Sequence, residues 1–533
     1  MHEITKAENQ RPKTKDRIVW LLLFAAFTAI YFFGLTIPLV GPDEPRYAQV
    51  AQEMFERNDW ITPTLGGANW FEKPALLYWL QIVSYNIFGI SEFAARFGSA
   101  VFGLLTVISL WVLGRSLETE LTEKHREIKN KKNFSISSVN SVAKEDFANW
   151  LALTAASSIG LIVFSHGASF DIILTFPITA SLVAFFIFDQ SSKKTSFTFH
   201  FSLFTFHFFI GISLLAKGLI GIVFPFAIVA FYYLLSRKFP TKTFLFSLIW
   251  GMILSLVVAS VWYLPMYLTH GWTFVDEFFI QHHFARYTSN KYQHPQPFWF
   301  FFGVLPLMTI PWLPFFLASV WDFVKVQSSK FKVQSQSSVL PFSTSPLVLF
   351  ALSWLIVPLV FFSFSGSKLP GYILPALPAA LILTAECVSR FVEKSRKRRI
   401  FLQGLAFLTF AIVAVVLQFV APKYAYQDST KGLIETARAQ GYEDEKVINL
   451  HTISHNAEFY AAGRLIRDEN GKLKKFLGVG EVVEEIKRAG GKDVLVLVPL
   501  EYLHELPESP IVESKIIDRN GELAIVLVKE KQN

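Results

Sequence analysis

The chain has 533 residues, of which 52% are hydrophobic, 16% aromatic and only 17% charged. That composition, with 55 Phe, excludes an ordinary soluble globular protein. The net charge of +8 does not point to nucleic acid, because the basic residues sit in short stretches between apolar runs, and the single Cys387 excludes a disulfide framework and a Cys-based metal site.

In chain order, residues 1–17 are polar and basic and read as a cytoplasmic tail. The apolar run that follows is long and carries no small-residue cleavage site, so it is expected to be an uncleaved first span rather than a signal peptide. Candidate spans fall at roughly 18–40, 92–116, 147–165, 171–189, 198–216, 218–236, 244–265, 298–320, 346–364, 372–389 and 400–420, about eleven in all. Residues 75–90 are apolar but short, and are read as partly interfacial. Every loop expected inside is basic, from Lys124, Arg126 and Lys129 through Arg237, Lys238 and Lys242 to Arg396, Lys397, Arg398 and Arg399. Three inside segments, 117–146, 190–207 and 325–345, are rich in Ser and Lys and are read as insertions without chemistry. From about 425 to 533 the pattern changes to that of a small soluble α/β domain. Strands are expected at Val447–Leu450, Asp493–Val498 and Leu523–Val528, helices at Ala457–Ala462 and Val482–Ala489, and a hairpin turn at Asn520-Gly521. An odd span count puts this domain outside.

The unusual polar residues all fall on the outer side. Gly41-Pro42-Asp43-Glu44-Pro45-Arg46-Tyr47 follows the first span, and Trp70-Phe71-Glu72-Lys73-Pro74 comes one short helix later. Tyr47, Val50, Ala51 and Met54 have helical spacing, with Arg46, Gln49, Glu53 and Arg57 opposite, which predicts an amphipathic helix along the membrane surface. Asp43 or Glu44 could simply cap that helix, with Pro45 in its first turn; alternatively a carboxylate there is a base for an acceptor hydroxyl. Lys73 is either a snorkelling interfacial lysine paired with Glu72 or a phosphate-neutralising cation. Asp171 either caps a span or is a second acid, and Lys217 either ends a span or is a further phosphate cation. In the long outer loop, His282-His283 reads as polar surface or, with Glu72 and His283 as ligands, as a site for a divalent ion (Zn, Mg or Mn). No metal spacing is specific. Arg286 pairs with an acid or a phosphate oxygen. Lys368 and Tyr372, in the stiff segment Ser367-Lys368-Leu369-Pro370-Gly371-Tyr372, are either an interfacial anchor or a lipid-headgroup contact.

Carboxylates among many cations fit one reaction well. The cations hold a phosphate that stays on a lipid, and a carboxylate activates a nucleophile to attack the group the phosphate carries. Glycosyl transfer from a polyprenyl-phosphate sugar meets that description. A transporter would place its charges at mid-bilayer on broken helices, often with repeat symmetry, and neither is visible. A non-catalytic polyprenyl-phosphate binder or flippase would share the phosphate cations and lack the base. The outer acids and cations are expected to converge in one pocket at the lipid–water boundary.

Asp43-Glu44-Pro45-Arg46-Tyr47-Ala48, Phe71-Glu72-Lys73-Pro74-Ala75-Leu76-Leu77-Tyr78-Trp79-Leu80, Glu92-Phe93-Ala94-Ala95-Arg96, Lys217-Gly218, His282-His283-Phe284-Ala285-Arg286-Tyr287 and Ser367-Lys368-Leu369-Pro370-Gly371-Tyr372-Ile373-Leu374-Pro375 occur in that order. Together they resemble the bacterial lipid A aminoarabinose transferases, GT-C glycosyltransferases related to the protein O-mannosyltransferases. The resemblance implies an all-α polytopic membrane protein of about 11–13 transmembrane helices with a small C-terminal soluble α/β domain. In that scheme 1–17 is the tail, 18–424 the GT-C domain with its catalytic first outer loop at 41–74, and 425–533 the extracytoplasmic domain. It also implies an inner-membrane enzyme using an undecaprenyl-phosphate-linked sugar with inversion at the anomeric carbon. By the same resemblance Asp43 matches the catalytic aspartate, Glu72 the acid of the second motif and Asp171 the second acidic position. Lys73 matches the phosphate-contacting lysine, and Arg46, Tyr47 and Tyr372 match positions near the lipid phosphate; Lys217, Arg286 and Lys368 are added as candidate cations from the residue reading above. The acceptor, whether lipid, glycan or protein, and the sugar do not follow from it.

Overall fold

The computed structural model describes residues 14–130, 146–191, 197–284, 296–333, 345–454, 456–469 and 471–531. Arg286, the side chain of His283, and residues 131–145, 192–196 and 334–344 of the Ser/Lys-rich segments lie outside the described residues. The chain divides into two compact units. One holds Met1–Phe33, Ser99–His166 and Phe170–Val413; the other joins Gly34–Gly98 to Gly167–Ser169 and Ala414–Asn533. The tail strands and the first outer segment therefore belong to one body.

The first unit is built from apolar helices. Among the described residues seven are long and apolar enough to cross a membrane, or eight counting one bent pair. They are Glu92–Thr119, Phe170–Gln190, Phe197–Lys217, Lys242–His282, Pro346–Ser363, Pro370–Val392 and Arg396–Asp428, each on an expected span. The expected first span and the 218–236 span are shorter apolar helices, Arg17–Phe32 and Ile220–Ser236, as is Leu76–Phe88. Two expected spans are broken. Residues 147–165 form Phe147–Ala156 and Ile159–Ser165, bent by 56° at Ser157-Ser158. Residues 298–320 divide into Phe300–Met308 and the start of Leu313–Val333. The two breaks satisfy each other: Ile159 N donates to Ile310 O at 2.8 Å, and Trp312 Nε1 donates to Ser157 Oγ at 2.9 Å. A backbone freed inside a bilayer protein needs such partners, which is why the breaks coincide. The reading of 190–207 as loop is corrected. Helix Phe197–Lys217 includes its last eleven positions, and Phe199, Leu203 and Phe206 are buried.

In the second unit the outer segment forms helix Asp43–Glu56, a hairpin of β1 (Thr64–Leu65) and β2 (Ala68–Asn69), and helix Leu76–Phe88. The tail is a five-stranded sheet of β3 (Lys446–Leu450), β4 (Lys475–Phe476), β5 (Val494–Pro499), β6 (Val512–Arg519) and β7 (Leu523–Glu530), in the order β4-β3-β5-β7-β6. β4, β3 and β5 are parallel, while β7 runs antiparallel to β5 and to β6. The central strands are near-continuous apolar runs because both faces are covered. Ile448, Val496 and Val526 pack with Val482 and Ile486 of helix Val479–Arg488. Val447, Leu495 and Leu527 pack on the other side with Leu433 and Ile434 of helix Lys431–Ala439. The strands expected from sequence form β3, β5 and β7, and the Asn520-Gly521 turn joins β6 to β7. β6, β4 and helix Lys431–Ala439 carried too little pattern to be read.

Candidate active site

Asp43 opens helix Asp43–Glu56, whose preceding residue Pro42 provides no side-chain cap. Asp43 and Glu44 are the first two residues of the helix rather than its capping residue. Asp43 is exposed, with 54% of its side chain open to solvent, and its Oδ1 lies 3.5 Å from Arg46 Nη1 one helical turn on. Arg46 is mostly buried, and its guanidinium carbon sits 5.6 Å from the centre of the Trp70 ring. Tyr47 is buried on the same helix. The helix is amphipathic as expected, yet Gln49 and Gln52 are buried as well, so it packs on more than one face.

Glu44 points the other way and is fully engaged. Its carboxylate accepts from Arg96 Nε at 3.1 Å, Arg96 Nη2 at 2.7 Å, Ala168 N at 2.7 Å and Val40 N at 3.2 Å. Arg96 is 3% exposed and also donates to the carbonyls of Leu35, Ile37 and Pro38. This bidentate pair buckles the segment leading into Asp43. These four donors make Glu44 a structural acid that holds the segment before the helix, whereas Asp43 stays exposed. In the sequence Arg96 stands out only as part of the motif Glu92-Phe93-Ala94-Ala95-Arg96; the role of its buried guanidinium is not legible there.

Glu72 and Lys73 form an ion pair at 2.6 Å, and both side chains are 10% exposed. This is a buried pair and not a snorkelling lysine. An ammonium this close to Glu72 makes it a poor ligand for a divalent ion, and among the described residues no group of three or more His, Cys, Asp or Glu is placed to hold one. The side chain of His283, the other candidate ligand, lies outside the described residues.

In the helical unit, Phe170–Gln190 and Phe197–Lys217 are sequential apolar helices, so the start of one meets the end of the next. Asp171 Oδ1 thereby pairs with Lys217 Nζ, each side chain under one-fifth exposed. Gly218, at φ +71°, ends the second helix, with its N–H on Leu214 O at 2.9 Å. Lys217 Nζ lies 5.1 Å from the centre of the Tyr372 ring. Gly371 is required here, since a Cβ on it would stand 1.9 Å from Asp171 Oδ2. Asp171, Lys217, Gly371 and Tyr372 thus form one cluster. Lys368 is 7% exposed, and its ammonium donates to Ser365 O at 2.7 Å and Gln296 O at 3.1 Å. Among the described residues it has no carboxylate partner.

One carboxylate was not anticipated. Glu458, in the short tail helix Ala457–Tyr460, is 2% exposed. It lies 3.9 Å from Arg46 Nε and 3.7 Å from Arg467 Nη2. Burial pushes its pKa up to about 7, against the pull of Arg46 and Arg467 and with help from Glu53.

The sequence profile of the dolichyl-phosphate-mannose-protein mannosyltransferases matches residues 17–122. The undecaprenyl phosphate-alpha-4-amino-4-deoxy-L-arabinose arabinosyl transferase of Aeromonas hydrophila is 27% identical over 419 residues, covering 76% of this chain and 68% of that one. The enzyme of the same name from Pseudomonas aeruginosa is 29% identical over 421 residues, covering 76% and 67%. Among solved structures, ArnT from Cupriavidus metallidurans bound to undecaprenyl phosphate superimposes with a TM-score of 0.69 at 20% identity, over 95% of this chain and 97% of that one. The last likeness fixes the fold end to end. The chain has the GT-C fold and is similar, over about three quarters of its length, to these arabinosyl transferases at identities below 30%. It is a multi-pass membrane protein, and it spans about two thirds of the length of these sequence relatives.

Proposed function

We propose that the protein transfers a sugar, with inversion at the anomeric carbon, from undecaprenyl phosphate or a similar polyprenyl phosphate carrier. The acceptor is a lipid A-like lipid, a glycan or a protein on the extracytoplasmic face of the inner membrane. The relatives' names and the lipid in the Cupriavidus structure support the carrier. The observation that carries the reading is Lys368. A buried ammonium costs several kcal/mol of lost hydration unless an anion or strong acceptors replace the water. Here two carbonyls occupy two of its three N–H directions, which suits an anionic ligand at the third.

The acceptor oxygen attacks the anomeric carbon, the bond from that carbon to the phosphate oxygen breaks, and the electron pair leaves with the lipid phosphate. Asp43 takes the acceptor proton. Lys73, Arg46, Lys217, Lys368 and Tyr372 are assigned to the phosphate, whose developing charge they offset. Asp171 orients Lys217 through their ion pair. Mass spectrometry of lipids and envelope glycans from cells with and without the protein identifies acceptor and sugar mass together; identical spectra would end the transferase reading. In purified protein, Asp43→Asn is expected to lower transfer by about 10²–10⁴-fold while leaving undecaprenyl-phosphate binding intact. Lys368→Ala is expected to weaken that binding.

A further inference from the structure

The tail domain reaches the first outer helix through one buried acid. Glu458 lies 412 positions along the chain from Arg46, yet the two charges face each other within one compact unit. Both arginine contacts of Glu458 exceed hydrogen-bond length, and its Oε2 accepts no hydrogen bond among the described residues. A carboxylate held this way costs stability, because desolvation is not repaid by close pairing. Such a cost is tolerated where the charge has a task.

The surrounding geometry indicates the task. Arg46 is held from three sides: Asp43 on Nη1, the Trp70 ring face beneath, and Glu458 on Nε. Arg467, the second arginine on Glu458, is itself fixed by donating to Gly471 O at 3.0 Å. Its side chain fills the space above Gly66, where a Cβ would stand 1.7 Å from Arg467 Nε. Gly66 belongs to the β1–β2 turn, which Glu53 fastens through the backbone N–H of Gly66 at 2.5 Å and of Gly67 at 3.1 Å. Tail, hairpin and outer helix are thus joined through Glu458.

We propose that Glu458 is a positioning residue of the transferase: it draws the Arg46 guanidinium away from Asp43 and holds it over Trp70 in the orientation that receives the lipid phosphate. This rests on the assignment of Arg46 to the donor phosphate. Without the Glu458 charge, the pull of Asp43 on Arg46 is no longer opposed from the tail, and closer pairing there shortens the cation's reach. The charged groups around Glu458 are Asp43, Arg46 and Glu53 from the outer helix and Arg467 from the tail. Lys431 and Glu435 of the neighbouring helix are occupied elsewhere, Lys431 with Glu92 at 2.7 Å. Because Glu458 protonates near pH 7, its hold on Arg46 weakens below that pH.

The test uses the full-length protein in lipid nanodiscs with undecaprenyl phosphate as probe, titrated from pH 6 to pH 8. Glu458→Gln is expected to weaken binding about tenfold at pH 8 and to match wild type more closely at pH 6. The lipid's own second ionisation cancels in the ratio of variant to wild type. Glu458→Asp, which keeps the charge, is expected to restore part of the affinity and its pH dependence. A Glu458→Gln protein that binds as wild type across the range overturns the proposal while Arg46→Ala still binds weakly. If Arg46→Ala binds normally, the assignment of Arg46 to the phosphate has failed instead. Should Glu458→Gln not fold, the wild type is compared with Arg46→Ala: a ratio of their undecaprenyl-phosphate affinities that stays the same from pH 8 to pH 6, while Arg46→Ala binds weakly, overturns the proposal equally.

Discussion

Two acids of the same compact unit, one buried and one largely covered, meet arginine in opposite ways. Glu44 grips Arg96 through two bonds of 2.7 and 3.1 Å and takes two backbone N–H groups besides. Glu458 stands 3.7 and 3.9 Å from its two arginines, with Oε2 unbonded. Glu44 is a fastener: its lone pairs are spent, and it holds the chain ahead of Asp43. Glu458 is under tension: its charge is expensive and its partners are loosely held. The contrast separates acids that build the site from acids that can respond within it.

Breaking the fastener should have the largest effect on stability. Glu44→Ala leaves Arg96 buried against carbonyls alone, and about 3–5 kcal/mol of folding stability should be lost. Thermal unfolding in detergent would measure it, and an unchanged midpoint would erase the contrast. A smaller loss is expected from Gly66→Ala, where a positive φ of +63° and the displaced Arg467 together cost about 1–3 kcal/mol. That variant should also shift the pH response of Glu458, since one of its arginines moves. The subtlest test is the pH dependence of stability. A carboxyl whose folded pKa is raised from 4.5 to about 7 contributes stability that is complete below about pH 4.5 and is lost as pH rises through 7. The unfolding midpoint of wild type should therefore fall between pH 5 and pH 8 more steeply than that of Glu458→Gln. Glu458→Gln should be no less stable than wild type at pH 8, even as it binds the lipid less well.

The sequence made the spans legible because hydropathy over some twenty residues is a local signal. It also showed the three central tail strands, whose apolar runs are equally local. Asp171 and Lys217 were each legible as alternatives; their meeting follows from sequential helices running antiparallel, which a span count implies. Glu458 was invisible because its partners are 412 positions away in one case and its helix, Ala457–Tyr460, is four residues long. The only signal was an acid inside an otherwise apolar helical pattern. Glu44 and Asp43 looked equivalent as neighbours, and only the position of Arg96, 52 residues on, tells them apart.

The rims of the tail sheet have a consequence for life at a crowded membrane. One outermost strand, β4, is two residues long. The other, β6, carries Glu513, Lys515, Asp518 and Arg519 and loses its regular pairing between Ile516 and Asp518. Neither offers a long, flat, uncharged template to a foreign strand. Many copies can therefore be packed side by side in a lipid sheet without their globular portions zipping together.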